Sequence, residues 1–205
     1  MSLPNDSIVV TPGSGATVAT HLVGGKEYQV VMVASPTGHL QDTLPTWYFW
    51  SGFVAGATNR KHLELFNAAG SGKIVRVRKV FIQSNMAAAV HIPQQWNCDR
   101  SSAVGTGGTA ITGRPADSTN TALPAQVTCR AGPTAGATQV YTLFSLGVNG
   151  EETLAGHAIL PMINWVPEGP NIQEVTLNEG EGCYVQQITN SITTTWGVLF
   201  VASVE

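Results

Sequence analysis

Residues 62–85 read HLELFNAAGSGKIVRVRKVFIQSN. This is the grammar of strand, tight turn, strand. Leu63, Leu65 and Phe66 lead into Asn67-Ala68-Ala69-Gly70-Ser71-Gly72, and the chain resumes as Lys73-Ile74-Val75-Arg76-Val77-Arg78-Lys79-Val80-Phe81-Ile82-Gln83. β-Branched residues and alternation favour strands, and the two glycines supply the turn. Strict alternation puts Val75, Val77 and Phe81 on one face of the second strand with Lys73 and Lys79. Ile74, Val80 and Ile82 fall on the other with Arg76 and Arg78. A strand apolar on both faces is expected to be covered on both. The expectation is that Val75, Val77 and Phe81 face the core, and that another protein forms the second cover.

The rest of the chain agrees with an all-β protein. Its 205 residues suit one domain, or one domain with an arm, and bury a core without disulfides or metals. Glycine and proline recur, numbering 22 and 11, and no stretch keeps a capped 3.6-residue period. Charged residues make up only 11%, against about 25% in ordinary soluble domains. Such a composition belongs to a bland secreted or thermostable β-domain, or to a protein that hides its surface against partners. Obligate interfaces are depleted in charge, and we read the chain as an assembly protein.

The net charge of −3 is unevenly spread. Up to residue 59, Lys26 faces Asp6, Glu27 and Asp42. Residues 60–130 carry Arg60, Lys61, Lys73, Arg76, Arg78, Lys79, Arg100, Arg114 and Arg130 against Glu64, Asp99 and Asp117. Beyond Arg130 there is no base, only Glu151, Glu152, Glu168, Glu174, Glu179, Glu181 and Glu205. The signs meet either within one subunit or across a head-to-tail ring of subunits. Scattered bases in an acidic chain argue against nucleic-acid binding. Cys98, Cys129 and Cys183 lack metal-ligand spacing, so buried free thiols are expected, with an intersubunit disulfide as the minor option. The opening Met1-Ser2-Leu3-Pro4-Asn5-Asp6 has no signal-peptide character, and no apolar run reaches the ~20 residues a membrane helix needs.

Residues 1–26 read as an extended N-terminal arm and residues 27–205 as a single β-sandwich domain. Leu44 to Phe53 holds five aromatics in seven positions: Trp47, Tyr48, Phe49, Trp50 and Phe53. They are either a core plug or an interface anchor. Trp47, Tyr48, Trp50, Phe53, Arg76 and Arg78 are the candidate interface residues. Residues 100–122 are rich in glycine, threonine and serine and read as an exposed excursion. Asn149-Gly150 signals a hairpin turn. Eight to ten short strands separated by turns suggest an antiparallel two-sheet sandwich, with a jelly roll the specific expectation.

No catalytic pattern emerges. Gly70-Ser71-Gly72-Lys73-Ile74 fails as a phosphate loop, because Asn67 stands where the first glycine belongs and Ile74 replaces the hydroxyl. Gly105-Thr106-Gly107-Gly108 has no βαβ unit around it. His62 and Glu64 are expected to share a strand face as a surface pair. Glu179 and Glu181 are too few for calcium. The expectation is a protein without enzymatic activity, cofactor, metal or small-molecule substrate.

Several runs resemble tailed-bacteriophage virion proteins, in particular capsid decoration (cement) proteins. They are Glu64-Leu65-Phe66-Asn67 with Gly70-Ser71-Gly72 and Val75-Arg76-Val77-Arg78; Asp99 to Thr109; Arg114-Pro115-Ala116-Asp117; Ala122-Leu123-Pro124-Ala125; and Leu177 to Gly182. The opening Ala19-Thr20-His21 and Gly24 to Val30 are similar to a leader on many phage structural proteins. The resemblance implies a jelly roll, a homotrimer, and a place on the outer capsid surface of a virion assembled in the host cytoplasm. There it would bridge major capsid proteins and stabilise the shell by binding the assembled state preferentially, with multivalent attachment. The arm would reach along the capsid or a sister subunit. The main alternative is a trimeric tail-fibre or receptor-binding head that recognises a host-surface glycan or protein. A sugar-active enzyme would need two carboxylates in a cleft, which so carboxylate-poor a chain does not suggest.

Overall fold

A computed structural model describes residues 18–23, 26–31, 45–85, 92–120, 122–150, 152–153, 157–158, 162–166, 174–189 and 195–205. The chain divides into two compact units, residues 1–44 and 45–205. In the first, β1 (Val18–Val23) and β2 (Lys26–Val31) form an antiparallel hairpin. Apart from β1 and Lys26, the expected arm over 1–26 lies outside the described residues.

The second unit contains two six-stranded antiparallel sheets and one two-stranded pair, and the described residues include no helix. Its strands are β3 (Thr46–Ala55), β4 (Arg60–Asn67), β5 (Val75–Asn85), β6 (Ile92–Ser101), β7 (Thr109–Ile111), β8 (Arg114–Pro115), β9 (Val127–Ala131), β10 (Gln139–Gly150), β11 (Glu152–Thr153), β12 (His157–Ala158), β13 (Met162–Trp165), β14 (Val175–Leu177), β15 (Glu181–Gln187) and β16 (Thr195–Val204). The first sheet runs β10-β6-β15-β4-β9-β7. The second runs β13-β5-β16-β3-β8, with β14 also on β5, and β11 pairs with β12 alone. β4 and β5, the opening stretch, lie in different sheets.

One apolar core fills the space between the sheets. The first sheet contributes Leu63, Leu65, Trp96, Cys98, Cys129, Cys183 and Val185; the second contributes Trp47, Phe49, Val75, Val77, Val80, Ile82, Trp196, Val198, Phe200 and Ala202. Sequence alternation explains most of this inward set, but three bulges break its phase.

In β5, Val201 pairs with Lys79 and Ala202 with Val77, so Arg78 is an extra residue. The inward set is therefore Val75, Val77, Val80, Ile82 and Ser84, and Phe81 turns outward. This corrects the expectation of a strand apolar on both faces. β5 has one apolar face whose phase slips at Arg78. In β3, Ser51 and Gly52 together oppose Val198. Gly52 takes φ +71°, which suits glycine, and Ser51 Oγ fills the bulge by accepting from Val198 N at 2.8 Å. In β4, the register slips at His62.

Two loop expectations also change. Asn149-Gly150 is not a turn, because β10 runs through it to pair Asn149 with Pro93 and Gly150 with Ile92. The stretch 100–122 is not a free excursion. β7 and β8 inside it extend one edge of each sheet. Gly105 N donates to both Glu64 carboxylate oxygens, at 3.0 and 2.8 Å, and so pins the loop onto the first sheet.

Candidate recognition surface

The two bulges in β3 and β5 build the outer face of the second sheet. In β3, Trp47 and Phe49 point inward while Tyr48 and Trp50 point out, and the slip at Ser51–Gly52 brings Phe53 out beside them. Tyr48, Trp50 and Phe53 are 43%, 39% and 46% exposed, against 3% for Trp47. The aromatic stretch is thus core plug and surface at once. Trp47 belongs to the core; the other three candidate aromatics stand on the surface.

The ladder extends the patch. Leu199 lies between Trp50 and Phe81, and Val201 between Tyr48 and Lys79. The Lys79 ammonium sits 5.7 Å from the Phe81 ring centroid. Gly197 lies opposite Phe53, and the far end of the Trp50 indole occupies the space that a Cβ on residue 197 would take. Trp50 therefore lies down across β16 instead of standing off the sheet. The Phe53 ring meets it edge-on, with centroids 5.5 Å apart and planes at 88°.

On the other side, Tyr48 pairs with Arg114 of β8. Between β3 and the β7–β8 turn runs a groove of about 620 Å3, lined by Tyr48, Trp50, Ala110, Ile111, Thr112 and Arg114. The residues from β7 and β8 could not be singled out in the sequence, since their Gly/Thr/Ser-rich context reads as loop.

The same face carries Arg76 and Arg78 at its far end, and both are partnered within the chain. Arg76 Nε donates to Glu205 Oε1 at 2.6 Å, and Nη2 to Oε2 at 3.3 Å. That bond holds the Glu205 carboxyl below the usual range. Arg78 pairs with Glu174, and its Nε donates to Ser203 Oγ at 3.0 Å. Arg100 reaches Glu181 at 2.5 Å. All three pairs join the basic middle of the chain to its acidic last third, so here the segregated charges meet inside one subunit.

Several other polar groups find partners within the chain. His62, turned inward by its bulge, packs on Trp96 and contacts Gln187 Oε1 at 3.2 Å. Burial lowers its pKa to about 4. Glu64 lies under Gly105 and does not pair with His62; burial raises its carboxyl above the usual range. Tyr184, its ladder neighbour, is also pushed up, by burial and by Asp99. The amides of Gly70 and Gly72 donate to Glu179 at 3.0 and 2.7 Å. Cys98, Cys129 and Cys183 are buried free thiols. The Cys98–Cys183 hydrogen bond and burial raise the Cys98 thiol; burial raises Cys129. Among the described residues no group of three or more His, Cys, Asp or Glu is placed to hold a metal ion.

No family model matches the chain, and neither a curated protein nor a solved structure does so.

Proposed function

We propose that the chain is a non-enzymatic structural protein of a tailed-phage particle, a homotrimer that sits on the outer capsid surface and bridges major capsid proteins. Its body is a jelly roll. With β7, β8 and β9 left aside and β13 and β14 taken together, the eight remaining strands of the two sheets, renumbered in chain order, run 6-3-8-1 in the second sheet and 5-4-7-2 in the first, the order of a double Greek key. That order supports the reading, and the sequence resemblance gives it a context.

The observation that carries the assembly role is β10. Among the described strands it is the edge of the first sheet, and it runs twelve residues, QVYTLFSLGVNG, without a charge or a proline. Val140 and Tyr141 on it are 53% and 51% exposed. Monomeric proteins guard long edges with lysine or proline, so this edge suits a permanent neighbour, a sister subunit or the capsid. Arg76 and Arg78 are neutralised within the chain and are set aside as subunit contacts. Mixing the protein with undecorated expanded capsids and pelleting tests the role. Co-sedimentation is expected. Protein left in the supernatant, with binding to host cells instead, overturns it.

A second reading applies to the outer face of the second sheet. Tyr48, Trp50 and Phe53 with the adjoining groove suit a recognition surface for a host glycan or protein. This reading is compatible with attachment through β10, because the two features lie in different sheets.

A further inference from the structure

We propose that the groove between β3 and the β7–β8 turn binds an acidic pyranose, the sugar ring stacked on Trp50 and its carboxylate held by Arg114. The inference rests on reading this face as a recognition surface and is independent of capsid attachment through β10.

Trp50 provides a fixed apolar platform. It lies across β16 because residue 197 has no side chain, and the Phe53 ring packs against it with the two planes at 88°. A ring already held in place loses little conformational entropy when a ligand stacks on it. The C–H face of a pyranose matches such a platform, and its hydroxyls need polar partners at the rim. Thr112 and Tyr48 line the groove and supply hydroxyl groups. A volume of about 620 Å3 is in the range of small-ligand sites.

Charge selects the class of sugar. Among the described residues lining the groove, Arg114 is the one charged side chain, and none is a carboxylate. The ladder sets Arg114 directly beside Tyr48 on the same face. A quaternary ammonium ligand, the other common guest of aromatic surfaces, would meet the like-charged guanidinium of Arg114. A carboxylate would meet a planar bidentate donor. Uronic and sialic acids combine that carboxylate with a stackable ring.

The test is calorimetric titration of the full chain with a glucuronate-containing tetrasaccharide, a sialic-acid-containing tetrasaccharide and neutral chitotetraose, with tryptophan fluorescence in parallel. At least one acidic ligand should bind about tenfold or more tighter than the neutral one, the margin of a charge-assisted hydrogen bond. Arg114→Gln should reduce acidic binding to the neutral level, and Trp50→Ala should abolish both. Unchanged circular dichroism and melting would show both variants folded. Equal binding of acidic and neutral sugars, or acidic binding that survives both substitutions, overturns the proposal. If host cells capture the protein while no acidic sugar binds, the saccharide assignment falls and the recognition reading stands. If neither binds, both fall.

Discussion

Trp50 covers Gly197: the end of its indole occupies the place of a Cβ on the neighbouring strand. Gly197→Ala should therefore lift the ring off the sheet. The ring is the free end of a surface side chain, and alanine suits a strand better than glycine, so stability should change by about 1 kcal/mol or less. Tryptophan emission should shift to the red, and acidic-sugar binding should fall with it. In a Trp50→Ala background the same substitution should have no further effect on binding. An unaltered spectrum in Gly197→Ala would show that the two residues are not coupled.

His62 gives stability a pH dependence. Burial lowers its pKa from 6.5 to about 4. Between those values the unfolded chain binds the proton and the folded chain does not, so stability falls as pH drops from about 6.5 to 4 and levels off below. The full effect is about 3 kcal/mol. Glu64 works in the opposite sense. Its raised pKa contributes stability at low pH that is lost as pH rises through the folded value. Urea midpoints at pH 7 and pH 4.5 should differ less in His62→Gln than in the parent. Equal differences would rule out His62 as the source.

The three thiols should be silent in the folded protein. All are buried, and those of Cys98 and Cys129 are held well above the ordinary thiol range. A thiol-reactive chromophore at pH 8 should register none in buffer and three in denaturant, since only exposed thiolates react. Rapid modification without denaturant would contradict the packing.

Reversing Arg76 and Arg78 to glutamate should leave the oligomer intact. Their partners Glu205 and Glu174 belong to the same chain, and these pairs are about a third exposed. Breaking either exposed pair should change stability little. Glu205→Arg should recover part of the loss from Arg76→Glu. Light scattering that shows dissociation would return these arginines to the subunit interface.

The edge strand β10 should respond differently. Lysine at Val140 and Tyr141 places charge on the exposed, uncharged edge. The double variant should be monomeric at micromolar concentration and fail to pellet with capsids, with its melting transition retained in shape. A persisting trimer would move the contact elsewhere.

Much of the fold was legible in the chain. The positions of β4, β5, β9, β15 and β16 follow from β-branched runs between turn residues, and the buried thiols follow from Cys98, Cys129 and Cys183 having no ligand spacing. The candidate recognition surface was legible only in part. Tyr48, Trp50 and Phe53 declare themselves as aromatics. Arg114 and Ile111 do not, because β7 and β8 are three and two residues long and are held by pairing with distant strands, not by local propensity.

The amino-acid sequence by itself determined that the chain is all-β, which segments extend, and that charge is sparse and segregated. Those properties are local or additive. Only the tertiary structure decided which residues face the core and which face outward. A bulge shifts every later side chain of its strand to the other face, and whether one forms depends on the partner strand's register. The slip at Arg78 turned Phe81 outward and left Val80 and Ile82 inside. The slip at Ser51–Gly52 set Phe53 beside Trp50, and the slip at His62 parted it from Glu64. Whether Arg76 would meet a glutamate of its own chain was decided in the same way, by the pairing of β5 with β16 that brings Glu205 alongside it.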